Sequence, residues 1–203
     1  MGRHLEFEKS EVLESALHVF WRRGFSDTSM QDLADACSIN KASIYNTWQN
    51  KENFFFAVID HYCEAMTRKW ASRLGEGESG RAAIENYFAA QVDFLLHDGR
   101  NMGCLLTNTA GELGATSPAV VERLRDIFFG VGENFATAIE RGKADGSIQS
   151  REDSHSLAMT LQTVLQGIRL LARAGGPTDE QLHDVVRISL VCLDHCEERA
   201  AAR

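Results

Sequence analysis

Apolar residues along the chain recur at intervals of three and four and hardly ever in strict alternation, a pattern that predicts helices rather than strands. Residues 7–23 place Phe7, Val12, Leu13, Ala16, Leu17, Val19 and Phe20 on one broad apolar face, and Gly24 stands where that helix should end. Thr28 and Gln31 have the spacing of a capping box that opens a short second helix, with Met30, Leu33 and Ala34 facing inward. Cys37, Ser38 and Ile39 make a turn, and Asn40 starts another short helix with Ile44 and Trp48 on its buried side. Asn50 caps a fourth helix, whose apolar side carries Phe54, Phe55, Val58, Ile59 and Tyr62.

Residues 75–80 are a Gly/Glu-rich break and the best candidate for a hinge between two domains. Helical patterns resume over 81–97, in a short stretch after Met102, and over 118–141, 153–174 and 179–198. Ser117-Pro118 reads as a cap followed by proline in the first turn. Ser150 with Asp153, and Thr178 with Gln181, have capping-box spacing, while Gly99, Gly114, Gly142 and Gly175 are candidate stops. The fold is therefore expected to be all-α, with about nine helices. Its N-terminal part, residues 1–52, is a three-helix unit with a helix-turn-helix, and residues 53–203 form a larger helical domain.

The last two helices are apolar over more of their surface than one core face requires. Leu157, Leu161, Val164, Leu165, Ile168, Leu170 and Leu171 lie on the first, and Leu182, Val185, Val186, Ile188, Leu190, Val191 and Leu193 on the second. A stripe that wide implies a second surface to bury it, and a homodimer through these two helices, four helices about a two-fold axis, meets the need.

Composition narrows the class. With 44% hydrophobic and 25% charged residues, and no apolar run long enough to span a bilayer, the chain reads as a globular cytoplasmic protein with no membrane partner. Five cysteines, an odd number, argue against a disulfide framework. The net charge of -8 excludes a non-specific nucleic-acid coat. Residues 1–52 are themselves slightly acidic, with six Lys/Arg against eight Asp/Glu, yet residues 36–51 carry only Lys41 and Lys51. No HExxH pair, phosphate loop or nucleophile–base set is present, and His61, His97, His155 and His183 are scattered, so neither an enzyme nor a cofactor or metal is expected.

The short helix from Asn40 is polar where it should be exposed: Lys41, Ser43, Tyr45, Asn46 and Thr47 flank the buried Ile44 and Trp48. A helix that must enter a DNA groove while packing on its own domain needs that division. The surrounding segment resembles the N-terminal DNA-binding domain of TetR-family transcriptional regulators. Gly24-Phe25 matches that family's Gly-aromatic pair after the first helix, and Thr28-Ser29 its second-helix opening. Lys41-Ala42-Ser43-Ile44-Tyr45 matches its recognition helix, Trp48 its following aromatic, and Lys51-Glu52 the start of its fourth helix. Thr47, Trp48 and Gln49 depart from the residues most frequent in the family.

The resemblance implies a repressor that binds a near-palindromic double-stranded DNA operator and is released by a small-molecule effector held in the C-terminal domain. Asn40, Lys41 and Ser43 would then lie near base edges, Tyr45 and Asn46 would reach a base or a phosphate, and Lys51 at a helix N-terminus would clamp phosphate. Thr28 and Ser29 would clamp a second phosphate. Residues 101–113, Asn-Met-Gly-Cys-Leu-Leu-Thr-Asn-Thr-Ala-Gly-Glu-Leu, resemble a Gly-Cys-Leu/Phe-x-x-Asn segment of one branch, which includes repressors that sense electrophiles or oxidants through a cysteine. That points to Cys104 for redox or ligand sensing, with Met102, Phe128 and Met159 as pocket candidates beside Phe88, Phe94, Phe129 and Phe135. Cys192 and Cys196, four apart next to His195, read as small apolar interface residues, because a lone i, i+4 pair lacks the further ligands of a closed zinc site.

Overall fold

Ten α-helices succeed one another through the described residues, with no strand among them. The computed structural model describes residues 8–97 and 102–194. Helices α1 (Lys9–Arg23), α2 (Met30–Ala36) and α3 (Lys41–Trp48) precede α4 (Lys51–Met66), which runs through a π-helical turn (Thr67–Ala71) into α5 (Ser72–Gly75). Then come α6 (Gly80–His97), α7 (Leu105–Leu113), α8 (Pro118–Asp145), α9 (Ser154–Arg173), α10 (Asp179–Ser189) and a 3-10 turn (Leu190–Leu193). None of these helices is long and apolar enough to cross a membrane.

Local chemistry sets most helix ends as the sequence predicts, with four corrections. Gly24 (φ +81°) donates its N–H to the Phe20 carbonyl, and Asn40, Asn50, Ser117 and Thr178 all cap with their side chains. The capping box of α2, however, pairs Ser29 with Asp32 rather than Thr28 with Gln31. Helix α9 is opened by Asp153 accepting from the Ser156 N–H, while Ser150 is buried and its N–H donates to the Leu193 carbonyl, so no Ser150–Asp153 box forms. Gly142 is no stop: α8 runs past it to Asp145 and ends at Gly146, whose φ is +78°. At Gly142 the start of α6 packs so closely that a Cβ added to Gly80 would lie 2.2 Å from the Gly142 nitrogen. The last α-helix ends at Ser189, short of the predicted 198, and passes through its 3-10 turn to an extended Asp194. Gly99, His195 and Cys196 lie outside the described residues.

Two apolar cores form. The first gathers Phe20, Leu33, Ile44, Phe54, Phe55 and Ile59 from α1–α4 and extends to Leu105, Leu106 and Leu113 of α7 and Val120 and Leu124 of α8. Phe20 meets Phe55 edge-on at 4.8 Å, and Trp48 stacks on Phe54 at 4.2 Å. The second core joins Trp70 and Leu74 to α6, α8, α9 and α10 around Phe88, Phe135, Ile139, Leu161 and Leu165. Residues 75–80 are therefore a turn within one core rather than a hinge between domains, and Arg141 pins them by donating to the Gly75 and Ser79 carbonyls at 2.6 and 3.2 Å. The sequence mistook turn composition for a boundary because a Gly-rich turn looks the same in either setting.

Candidate functional site

Helix α3 is held by Ile44, fully buried, and by Trp48 against Phe54, which turns the rest of the helix outward. Lys41, Tyr45 and Asn46 are exposed, Tyr45 by 46%, and Ser43 is half-buried at their edge. Asn40 is exposed too, with Oδ1 accepting from the Ser43 N–H at 2.7 Å. The turn before the helix is tight enough to put Ser38 at φ +54°. Thr47 spends its hydroxyl on the Ser43 carbonyl at 2.9 Å.

Around the end of α1, Lys51 lays its ammonium over the Phe25 ring, 4.4 Å from the centroid. Partial burial pulls its pKa below the usual value, opposed by the charges of Glu112, Asp27 and Asp32. Ser29 is exposed, and its hydroxyl donates to Asp32 at 2.6 Å. Thr28 is 1% exposed, with its hydroxyl turned in to the Gly24 carbonyl at 2.6 Å. So turned, the Thr28 hydroxyl is closed to solvent. The acids of α2 are occupied locally: Asp32 pairs with Arg23 at 2.6 Å, and Asp35 accepts from Gln31 at 2.7 Å.

A small cavity of about 80 Å³ lies where α4, α6, α7, α8 and α9 meet. Its walls are mostly apolar (Met66, Trp70, Leu74, Leu106, Ile127, Phe128), and Tyr62, Tyr87, Cys104 and Arg169 line it as well. Met66, Thr67 and Trp70 line it where α4 passes into the π-helical turn. Cys104, at the N-cap of α7, is 2% exposed, and its sulfur accepts from the Tyr62 hydroxyl at 3.7 Å. Burial pushes its thiol up, but the Arg169 guanidinium, Thr107 and the Tyr62 hydroxyl outweigh it and hold the pKa below the usual thiol value. By contrast, burial raises Cys37 to about 11, and burial with the neighbouring Asp60 raises Cys63 to about 12.

Of the pocket residues predicted from sequence, Cys104 and Phe128 line this cavity, whereas Met102, Met159, Phe88, Phe94, Phe129 and Phe135 do not. Met102 packs on the first core, where its carbonyl accepts from the Trp21 indole and the Asn108 amide. Met159 is 64% exposed, on the outer side of α9. The sequence missed Tyr62, Trp70, Tyr87 and Arg169 as wall residues. For Arg169 a signal existed: it follows Leu165 by four on the apolar side of α9, where a charge must answer to something.

The family model for bacterial regulatory proteins of the tetR family matches residues 12–58, and the tetracyclin repressor-like C-terminal domain model matches residues 80–187. The chain belongs to the TetR family. As a TetR-family member it is a DNA-binding transcriptional regulator, with the helix-turn-helix of α2 and α3 as its DNA-binding unit. It is 27% identical over 180 residues to the transcriptional repressor ComR of Escherichia coli (strain K12), covering 88% of this chain and 86% of that protein. It is 32% identical over 142 residues to the repressor DhaR of Mycobacterium sp. (strain GP1), with 70% of each covered. A cysteine-substituted variant of the TetR-family regulator CifR, solved in complex with 26-base-pair operator DNA, superposes with a TM-score of 0.83 at 28% identity. That superposition covers 95% of this chain and all of that one.

Proposed function

We propose that the protein is a dimeric cytoplasmic repressor that binds a near-palindromic operator and leaves it when a small molecule occupies the cavity. The observation that carries the DNA half is the division of α3 into a buried Ile44 and an exposed polar face of Lys41, Tyr45 and Asn46. Asn40, Lys41 and Ser43, at the N-terminal end of α3, read base edges in the major groove, while Tyr45 and Asn46 reach a base or a phosphate. Lys51 and Ser29 contact the flanking backbone. The acidic net charge keeps non-specific attraction weak, so affinity depends on two α3 helices spaced about one turn of DNA apart.

The dimer reading rests on what α9 and α10 leave uncovered. Leu161, Leu165, Ile168, Leu182 and Val186 go into the protomer's own core, yet Met159, Leu170, Leu171, Val185, Ile188 and Val191 stay exposed. The effector reading rests on the cavity's walls, which join the two cores through α4 and the start of α7. Occupancy favours one arrangement of α4 and α7, and operator affinity falls by no more than the ligand's preference for that arrangement. Cys104 supports a second route to the same end, alkylation by an electrophile that enters the cavity, because its thiol is held below the usual range.

A mobility shift with the DNA upstream of the protein's own gene tests the operator reading. We expect retardation that weakens roughly tenfold or more in Lys41→Ala and in Tyr45→Ala, as the loss of one base or phosphate contact implies. Absence of retardation even at low salt, where phosphate contacts are strongest, would overturn it.

A further inference from the structure

On the cavity wall the molecule holds a positive charge without a carboxylate partner. Arg169 lines the cavity beside Tyr62, Tyr87 and Cys104. Its Nη2 donates to Gln91 Oε1 at 2.7 Å, a neutral acceptor. Among the described residues no carboxylate lies within ion-pair distance of it. The side chains whose charge would answer it are Cys104, Tyr87 and Tyr62, all protonated in their ordinary state at neutral pH. Gln91 is 1% exposed, and with its carbonyl given to Arg169 its Nε2 has no hydrogen-bond partner. The cluster therefore carries more donors than acceptors as well as an uncompensated charge, an arrangement that costs stability unless something supplies the acceptor.

Trp70, Leu106, Ile127, Phe128 and Val131 give the same cavity an apolar wall. We propose that the cavity takes an amphipathic monocarboxylate, its carboxylate on the Arg169 guanidinium and its alkyl or aryl body against Trp70 and Phe128. The planar guanidinium presents paired N–H donors at the spacing of two carboxylate oxygens, and the Tyr87 hydroxyl adds a donor beside it. Low polarity around the site strengthens the pairing over its value in water. This assignment of ligand class rests on reading the cavity as the effector site.

Calorimetric titration of the full-length protein with octanoate and 4-phenylbutyrate, each against its neutral amide, tests the assignment. At least one acid should bind roughly tenfold tighter than its amide, as a charge-assisted bidentate pair implies. Arg169→Gln should abolish the difference and Arg169→Lys should keep part of it. The acid–amide comparison on unaltered protein stands even if the variants fold poorly. Amides that bind as well as the acids, acids that do not bind at millimolar concentration, or a preference that survives Arg169→Gln would each overturn the proposal. A parallel mobility shift separates it from the reading beneath it. Acids that bind through Arg169 yet leave the operator complex intact support the anion site and remove the effector role. Amides that release the operator while acids do not remove the anion site and leave the effector role.

Discussion

Asn40 shows how one side chain serves two ends at the residue scale. Its Oδ1 caps α3 through the Ser43 N–H at 2.7 Å, and the same residue stands exposed at the end of the helix that is to meet DNA. Asn40→Ala should lower stability by about 1 kcal/mol, the usual value of a lost cap, with operator affinity falling as well. Asn40→Asp keeps an acceptor for the cap and complements the helix dipole but sets a negative charge against the phosphates. We expect its melting temperature to match the unaltered protein while operator binding weakens. Equal operator binding by the Asp variant and the unaltered protein would remove Asn40 from the interface. Thr28 and Thr47 mark the limit of residue-scale reading. Both have the right chemistry for a DNA contact, and both direct their hydroxyls to backbone carbonyls, Gly24 and Ser43.

At the scale of elements, α7 joins the cavity to the DNA-binding unit. Its first residues follow Cys104 on the cavity wall, and near its other end Glu112 accepts from the Phe25 and Ser26 N–H groups at 2.9 and 2.6 Å. Burial raises the Glu112 pKa, but those two N–H groups and Lys51 outweigh it, so its carboxyl sits below the usual glutamate value. A carboxylate lowered in the folded state adds stability that is complete above its unfolded pKa and is lost as pH falls through the lower folded one. Glu112→Gln should therefore destabilise at pH 7, by about 1 kcal/mol for a partly solvated charged acceptor. The gap between the two proteins should close as pH drops below about 4.3. Denaturant midpoints measured across that range check the sign. A gap that stays constant with pH would show that the carboxylate's charge contributes nothing.

For the whole molecule, the question is what covers α9 and α10. Ile188 and Leu170 are 60% and 54% exposed in the single chain, so a glutamate at either site has no cost within the protomer. In a dimer it would bury an unpaired charge, a large penalty. The double variant Leu170→Glu/Ile188→Glu is expected to halve the mass seen by light scattering, keep its helical circular dichroism, and lose most operator affinity. An unchanged mass would place the interface elsewhere.

The sequence alone determined what local chemistry determines. Helical period, caps at Asn40, Asn50 and Thr178, the stop at Gly24 and the polar outer face of α3 are each encoded within a few residues, so one strand of text suffices to read them. The tertiary structure decided everything that needs convergence. It buried Thr28, made Gly142 a packing contact rather than a stop, drew α7 into the first core, and set Arg169 beside Tyr62, Tyr87 and Cys104. Residues 62, 87, 104 and 169 sit on four separate elements, and no periodicity within any one of them specifies the others. A charge on an apolar face announces that a partner is required, and only the packing of the other helices shows whether the protein itself supplies it.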